Sequence, residues 1–224
     1  MGRFDRATIY NRIVTTLRDP DNTADPLSTF FAESATDPIA LFDLWLNRAT
    51  ATEPNDPTAA ALATSTPGGI PSVRMVLVKP TAHQRFCFYT NGESRKGSEL
   101  LANPHAALCF HWKSLRRQIR VEGSITGLNA EQSDTYFHSR SRASQIGAAV
   151  SDQSRALADR ATMEQRFEAF ADTHPGEIPR PGYWRGFCLD PRSIEFWIDG
   201  ANRLHDRFLF TRGGDGWLKT RLYP

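Results

Sequence analysis

Apolar residues recur at helical spacing at Ile39, Phe42, Trp45, Leu46 and Ala49, which predicts a helix that buries one face. Asp37 stands where an N-cap belongs, with Pro38 at the first helical position. From Thr58 the pattern changes to strands. Ala59–Thr64 and Ser72–Lys79 flank the turn signal Pro67-Gly68-Gly69, and Arg85–Thr90, Ala106–Trp112 and Arg116–Gly127 continue the series. The runs 73–79 and 85–90 carry Val, Met, Leu, Phe and Tyr with few breakers, so both are expected to be largely buried. A short helix is expected over Ser94–Ala102. Asn129 with Gln132 forms the signature of a capping box for a helix reaching about Ser139. Met163, Phe167 and Phe170 give a further helix its apolar face, ended by His174-Pro175-Gly176. Strands resume at Trp184–Leu189, Ser193–Trp197, Asp206–Arg212 and Trp217–Leu222, the last two joined by Gly213-Gly214-Asp215-Gly216. Many short strands with few helices predict a mainly β chain, a small antiparallel barrel with peripheral helices.

Residues 18–36 are rich in Asp, Pro, Ser and Thr. The expected organisation is therefore an arm over residues 1–36, with Leu27, Phe30 and Phe31 docking on the body, and one domain over 37–224. The chain has 224 residues, 40% hydrophobic and 23% charged, with a net charge of +2. That balance argues against a general nucleic-acid binder, so any work done by cations depends on local clustering. The cysteines Cys87, Cys109 and Cys188 include no C-x-x-C pair, and neither a disulfide framework nor a thiolate metal site is expected. Cys87 and Cys109 read as core thiols. No histidine pair has metal-ligand spacing. No apolar run reaches membrane-spanning length, and Met1–Tyr10 lacks a signal-peptide core. A cytoplasmic location is the expectation. No G-x-G-x-x-G follows a strand, which argues against a Rossmann site.

Four clusters carry candidate chemistry. In the first, Tyr89-Thr90-Asn91-Gly92-Glu93-Ser94-Arg95-Lys96 runs from a strand into a helix start. Ser94 can cap, and free first-turn N–H groups beside Arg95 and Lys96 suit an anion; a solvated surface is the alternative. In the second, Tyr136, Arg140 and Ser144 share a face of a continuous helix and could hold a phosphate, unless Ser139 and Ser141 break the helix. The third is the pair Arg74 and Lys79, which bracket a strand, with Gln118 in a polar run further on. In the fourth, an extended segment 203–207 would put Arg203, His205 and Arg207 on one face near Trp197, suited to a flat anionic aromatic ligand or simply to water.

IEFWIDGANRLHDRF at 194–208, RMVLVK at 74–79, FYTNGESRK at 88–96, RRQIRVEG at 116–123, YFHSRSRASQIG at 136–147 and SDQS at 151–154 resemble, in order, the blocks of the pyridoxamine 5′-phosphate oxidase family. The resemblance spans roughly Asp37 to Pro224. It implies an FMN-binding split β-barrel working as a homodimer, with flavin sites at the subunit interface. Carried over by position, Arg74, Met75, Val76, Leu77, Val78, Lys79, Tyr89, Thr90, Ser94, Arg95, Lys96 and Gln118 would contact FMN from one subunit. Gln153, Ser154, Trp197 and Arg207 would contact it from the other. Lys79, Tyr136, Arg140 and Ser144 would hold the substrate phosphate, and Arg203 and His205 would act at the reacting carbon. The implied reaction is oxidation of pyridoxamine or pyridoxine 5′-phosphate to pyridoxal 5′-phosphate, with O2 reduced to H2O2. Ile198, Arg185 and Tyr223 depart from the family pattern, and Arg6 and Tyr10 do not match its N-terminal segment. The competing readings are a split-barrel oxidase acting on a phenazine precursor and a non-enzymatic flavin- or haem-binding module.

Overall fold

A computed structural model describes residues 32–80 and 86–224. The docking of Leu27, Phe30 and Phe31 and the match at Arg6 and Tyr10 concern residues outside the described ones. Contacts divide the chain into two compact units. Of the described residues, one holds those up to Pro57 with 110–120 and 193–224, and the other holds those within 58–109 and 121–192.

In the first unit, helix α1 spans Pro38–Thr52. Asp37 caps it by accepting from the Ile39 N–H at 2.8 Å, and Pro38 at N1 lacks an N–H where none is needed. Leu41, Phe42, Trp45, Leu46 and Ala49 form its buried stripe; Leu41 rather than Ile39 belongs to it. Trp45 is fully buried, edge-on to Phe196 at 5.1 Å, with the Arg117 guanidinium 4.8 Å above its ring. Burying side chains of this size contributes roughly 1.5–3 kcal/mol each, so α1 is fixed by packing rather than by helix propensity.

The strands are β1 (Ala59–Ser65), β2 (Pro71–Leu77), β3 (Lys79–Pro80), β4 (Phe86–Asn91), β5 (His105–Trp112), β6 (Arg117–Gly127), β7 (Trp184–Ile198), β8 (Asp206–Gly213) and β9 (Gly216–Leu222). They follow the order β2-β1-β5-β6-β7-β4-β3, with β8 on β7 and β9 on β8. Strands β5, β6 and β7 are divided between the two units. The helices of the second unit are α2 (Arg95–Ala102), α3 (Ala130–Ser139), α4 (Arg142–Val150) and α5 (Arg160–Thr173). The capping box at Asn129 and Gln132 is present in α3.

Four expectations are corrected. First, the two strands expected at 184–189 and 193–197 are one strand. Its first half pairs with β4 and its second with β8. Pro191 falls between these two registers. Second, β2 is not buried. It is the sheet's edge, and Val73, Met75 and Leu77 are 67%, 64% and 46% exposed. Third, Cys87 and Cys188 are register partners across β4 and β7 and form a disulfide that does not include Cys109. Sequence spacing cannot reveal this, because the pairing depends on strand register over 101 residues. Fourth, residues 203–207 are not one extended segment. Ala201–Arg203 form a 3-10 turn, with Asn202 and Arg203 both left-handed at φ 56° and 63°. The turn needs Gly200, because a Cβ there would meet the Leu204 carbonyl.

Candidate active site

The strand-to-helix cluster of the second unit is built around Lys96. Ser94 caps α2 by accepting from Gly97 N at 3.3 Å. Gly97 is obligatory, because a Cβ there would collide with the Gly92 backbone, which folds against the first turn. Lys96 is almost fully buried, and its Nζ donates to Gln153 Oε1 at 2.7 Å, Thr90 Oγ1 at 3.1 Å and Ser94 Oγ at 3.2 Å. Burial first, then repulsion from Arg74, brings its pKa down to about 8. Gln153, which the resemblance assigns to the opposite subunit's share, thus lies on Lys96 of its own chain. Ser154 beside it is exposed and left-handed at φ 75°.

Arg74 and Arg95 join this cluster through a residue that the sequence reading did not select. Glu99 lies one turn beyond Arg95 on α2, and Arg95 Nε donates to its Oε1 at 3.0 Å. Its other oxygen accepts from Ser72 Oγ at 2.5 Å and from Thr64 Oγ1, and it faces Arg74 Nη2 at 3.5 Å. Burial alone would raise the Glu99 pKa. The hydrogen bonds from Ser72, Thr64 and Arg95 outweigh that and hold it at about 2. The i,i+4 spacing from Arg95 was the available signal. Of the other RMVLVK residues, Met75 and Leu77 point outward, Val78 is buried and Lys79 opens β3.

Lys79, Tyr136 and Arg140 converge on an aromatic stack in the same unit. Tyr136 stacks on Tyr89 at 4.0 Å, and Tyr89 on Trp184 at 5.3 Å. The Lys79 ammonium lies 5.9 Å from the Tyr136 ring centre, and the Arg140 guanidinium 5.1 Å from that of Trp184. Burial lowers the Arg140 pKa, with the Tyr136 hydroxyl acting in the opposite direction. Arg140 Nη1 is buried without a hydrogen-bond partner among the described residues. A buried donor with no acceptor costs about 1–3 kcal/mol until one arrives. Tyr89 and Tyr136 also line a cleft of about 560 Å³ that reaches Cys87 and Cys188. The continuous 136–144 helix is not formed: α3 ends at Ser139, Arg140 is its C-cap and Ser141 caps α4. The Ser144 hydroxyl is paired with that of Ser141 at 2.8 Å.

The remaining predicted residues lie in the first unit. His205 packs against Trp197, ring centres 4.6 Å apart. Its Nδ1 accepts from Gly200 N at 3.1 Å and lies 3.3 Å from Asp199 Oδ1. With the Nδ1 lone pair taken by the Gly200 N–H, the neutral ring carries its proton on Nε2. Arg207 donates through Nε to the buried Glu195 at 2.7 Å and through Nη1 to the Tyr223 carbonyl at 2.8 Å. Arg203 is exposed at the turn, and Gln118 is half-buried on β6. Of the departures from the family pattern, Ile198 is core, and Arg185 lies over Gly92.

Residues 46–174 match the family described as "Pyridoxamine 5'-phosphate oxidase", and residues 184–224 match "Pyridoxine 5'-phosphate oxidase C-terminal dimerisation region". The curated "Pyridoxine/pyridoxamine 5'-phosphate oxidase" of Gluconobacter oxydans is 58% identical over 189 residues, 84% of this chain and 94% of that protein. Among solved structures, PhzG from Burkholderia lata 383, in complex with tetrahydrophenazine-1-carboxylic acid, superposes with a TM-score of 0.81 at 30% identity. It covers 87% of this chain and 96% of its own. An FMN-binding, pyridoxamine 5'-phosphate oxidase-related protein from Nostoc punctiforme shares the fold, with a TM-score of 0.69 at 18% identity over 83% of this chain and 96% of its own. The fold is therefore the split β-barrel expected from the sequence. With more than half of its residues matched to one family description and a relative at 58% identity over most of both chains, this chain belongs to the pyridoxamine 5'-phosphate oxidase family.

Proposed function

We propose that this protein is an FMN-dependent oxidase that converts pyridoxamine or pyridoxine 5′-phosphate to pyridoxal 5′-phosphate. The observation that carries the reading is the coexistence of two separate anion-ready clusters in one unit. Arg74, Arg95 and Lys96 carry three positive charges and Glu99 one negative, a net +2 that complements a phosphate monoester dianion. Arg95 offers terminal nitrogens that take no partner among the described residues, and it is 59% exposed. The flavin phosphate belongs here, at the start of α2, where first-turn N–H groups add to the field. Lys79, Tyr136 and Arg140, with the unsatisfied Arg140 Nη1, form the second cluster and would hold the substrate phosphate.

Bound FMN supplies the hydride acceptor and is reoxidised by dioxygen, giving H2O2. The protein's own groups bind and orient. The stacked Tyr89, Tyr136 and Trp184 give a flat apolar wall. Arg203 and His205 would act at the reacting carbon: a left-handed Arg203 is a conformation that costs of order 1 kcal/mol or more, and His205 is held in a defined tautomer by Gly200. Arg207, fixed by Glu195, would supply a cation to the flavin ring, with Trp197, Gln118, Gln153 and Ser154 completing its surroundings. We propose a homodimer as the working state. The exposed row Val73, Met75 and Leu77 on the edge strand β2 is the apolar surface that a second copy would cover. A cytoplasmic location is part of the proposal. Among the described residues no helix is long and apolar enough to cross a membrane.

The likeness to PhzG supports a second reading, oxidation of a phenazine precursor. Lys79, Tyr136 and Arg140 argue against it, since a phosphate cluster has no work on a substrate without phosphate. The purified protein should be yellow, lose its flavin absorbance under anaerobic addition of pyridoxamine 5′-phosphate, and release peroxide in air. A flavin-loaded protein inert to both B6 phosphates would overturn the substrate assignment.

A further inference from the structure

The carboxylate of Glu99 lies among the cations that the proposed function gives to the flavin phosphate, and it divides its two oxygens between them. Oε1 takes Arg95 Nε. Oε2 takes the hydroxyls of Ser72 and Thr64, and those hydroxyls in turn accept from Arg74. Each hydroxyl therefore accepts from a guanidinium and donates to a carboxylate, an arrangement in which successive bonds polarise one another. Arg74 Nη1 also donates to the Leu62 carbonyl at 3.3 Å. The four terminal N–H groups of Arg74 are thus directed at Leu62, Thr64, Ser72 and Glu99, which leaves only Nε–H for any ligand. Arg95 is held at Nε alone, so its terminal nitrogens stay outward. The carboxylate is only 6% exposed and remains ionised far below neutral pH.

We propose that Glu99 is a positioning residue for the flavin phosphate: its carboxylate ties Arg74 on β2 to Arg95 on α2 as one rigid cationic wall beside Lys96. This rests on the FMN reading above. A lone carboxylate among phosphate-binding cations lowers attraction for the anion, so its benefit must come from pre-organisation. Arg74 repels Lys96, and a carboxylate on the same helix acts in the opposite sense. The groups facing the Lys96 ammonium are Arg74 from β2, Thr90 from β4, Ser94 and Gln153, with Arg95 and Glu99 on its own helix.

The test uses apoprotein of the wild type, Glu99→Gln and Glu99→Ala, titrated with FMN and with riboflavin, which has the ring but no phosphate. The expected result is FMN binding weakened at least tenfold in Glu99→Ala and severalfold in Glu99→Gln, with riboflavin affinity unchanged in both. FMN affinity of the wild type should fall as pH rises above about 8, the pKa of Lys96; in Glu99→Gln the fall should begin at lower pH. Equal loss of FMN and riboflavin would mean general damage to the fold and would overturn the proposal. Unchanged or tighter FMN binding in both variants would also overturn it, because charge removal would then outweigh positioning. Wild-type protein that binds FMN while the variants match it refutes Glu99 alone. Wild-type protein that takes up no FMN refutes the flavin reading and this proposal with it.

Discussion

Replacing Lys96 with Met should remove a pH dependence of apoprotein stability between about pH 8 and 10.5 and weaken the flavin complex. Lys96 is 9% exposed, and burial followed by repulsion from Arg74 lowers its pKa from 10.5 to about 8. At 1.36 kcal/mol per pKa unit, that fall corresponds to a destabilisation on the order of 3 kcal/mol. The unfolded chain keeps the Lys96 proton up to about pH 10.5, the folded chain only to about 8. The penalty is therefore complete below pH 8, shrinks as pH rises from there, and is gone above 10.5. Met keeps the stem but forfeits the three bonds to Gln153, Thr90 and Ser94, about 0.5–1.5 kcal/mol each. Near neutral pH the two effects offset, and the variant stays close to wild type; above pH 10.5, where the wild-type penalty is gone, it falls below wild type by about 3 kcal/mol. The same change removes the charged donor that the proposed function gives to the flavin phosphate, about 1.5–3 kcal/mol, and should weaken FMN binding roughly 10- to 150-fold. Circular-dichroism melts of apoprotein between pH 7 and 10.5, with flavin-fluorescence titrations, measure both. A stability difference between variant and wild type that is the same at pH 7 and at pH 10.5 refutes the account of Lys96.

Arg140→Ala should raise KM for phosphorylated substrates by roughly 10- to 100-fold, the loss of one charge-assisted contact, with FMN affinity little changed; steady-state kinetics with a dephosphorylated analogue as control would expose an error, since equal effects on both substrates contradict a phosphate role. Arg207→Met leaves the Glu195 carboxylate, 4% exposed, with Arg120 at 3.5 Å as its remaining ion-pair partner among the described residues, and should cost about 3 kcal/mol or more in urea unfolding, whereas Glu195→Gln with Arg207→Met should recover much of that loss. Denatured, unreduced protein should titrate with one equivalent of thiol, from Cys109, and with three after reduction; three equivalents before reduction would contradict the Cys87–Cys188 bond.

Local pattern sufficed wherever the determining forces are short-range. The N-cap at Asp37, the capping box at Asn129 and Gln132, the Ser94 cap and the hairpin at 213–216 follow from neighbouring residues competing for the same few backbone groups, and all are present. The series of β-strands and the start of α2 beside Arg95 and Lys96 were legible for the same reason. What the tertiary structure decided depends on residues far apart in the chain. The exposure of Val73, Met75 and Leu77 follows from β2 lying at the sheet edge, which no property of the strand itself specifies. The Cys87–Cys188 bond is a consequence of register between β4 and β7. Arg203 left the expected strand face because Gly200 lets the chain fold back on Leu204. Only the i,i+4 spacing from Arg95 marks Glu99 in the sequence; the packing of β1 and β2 against α2 surrounds it with Thr64, Ser72 and Arg74. Sequence fixes which groups are available and their local geometry, while burial and long-range pairing determine which of them share a charge environment, because electrostatic strength depends on the solvent that the fold removes.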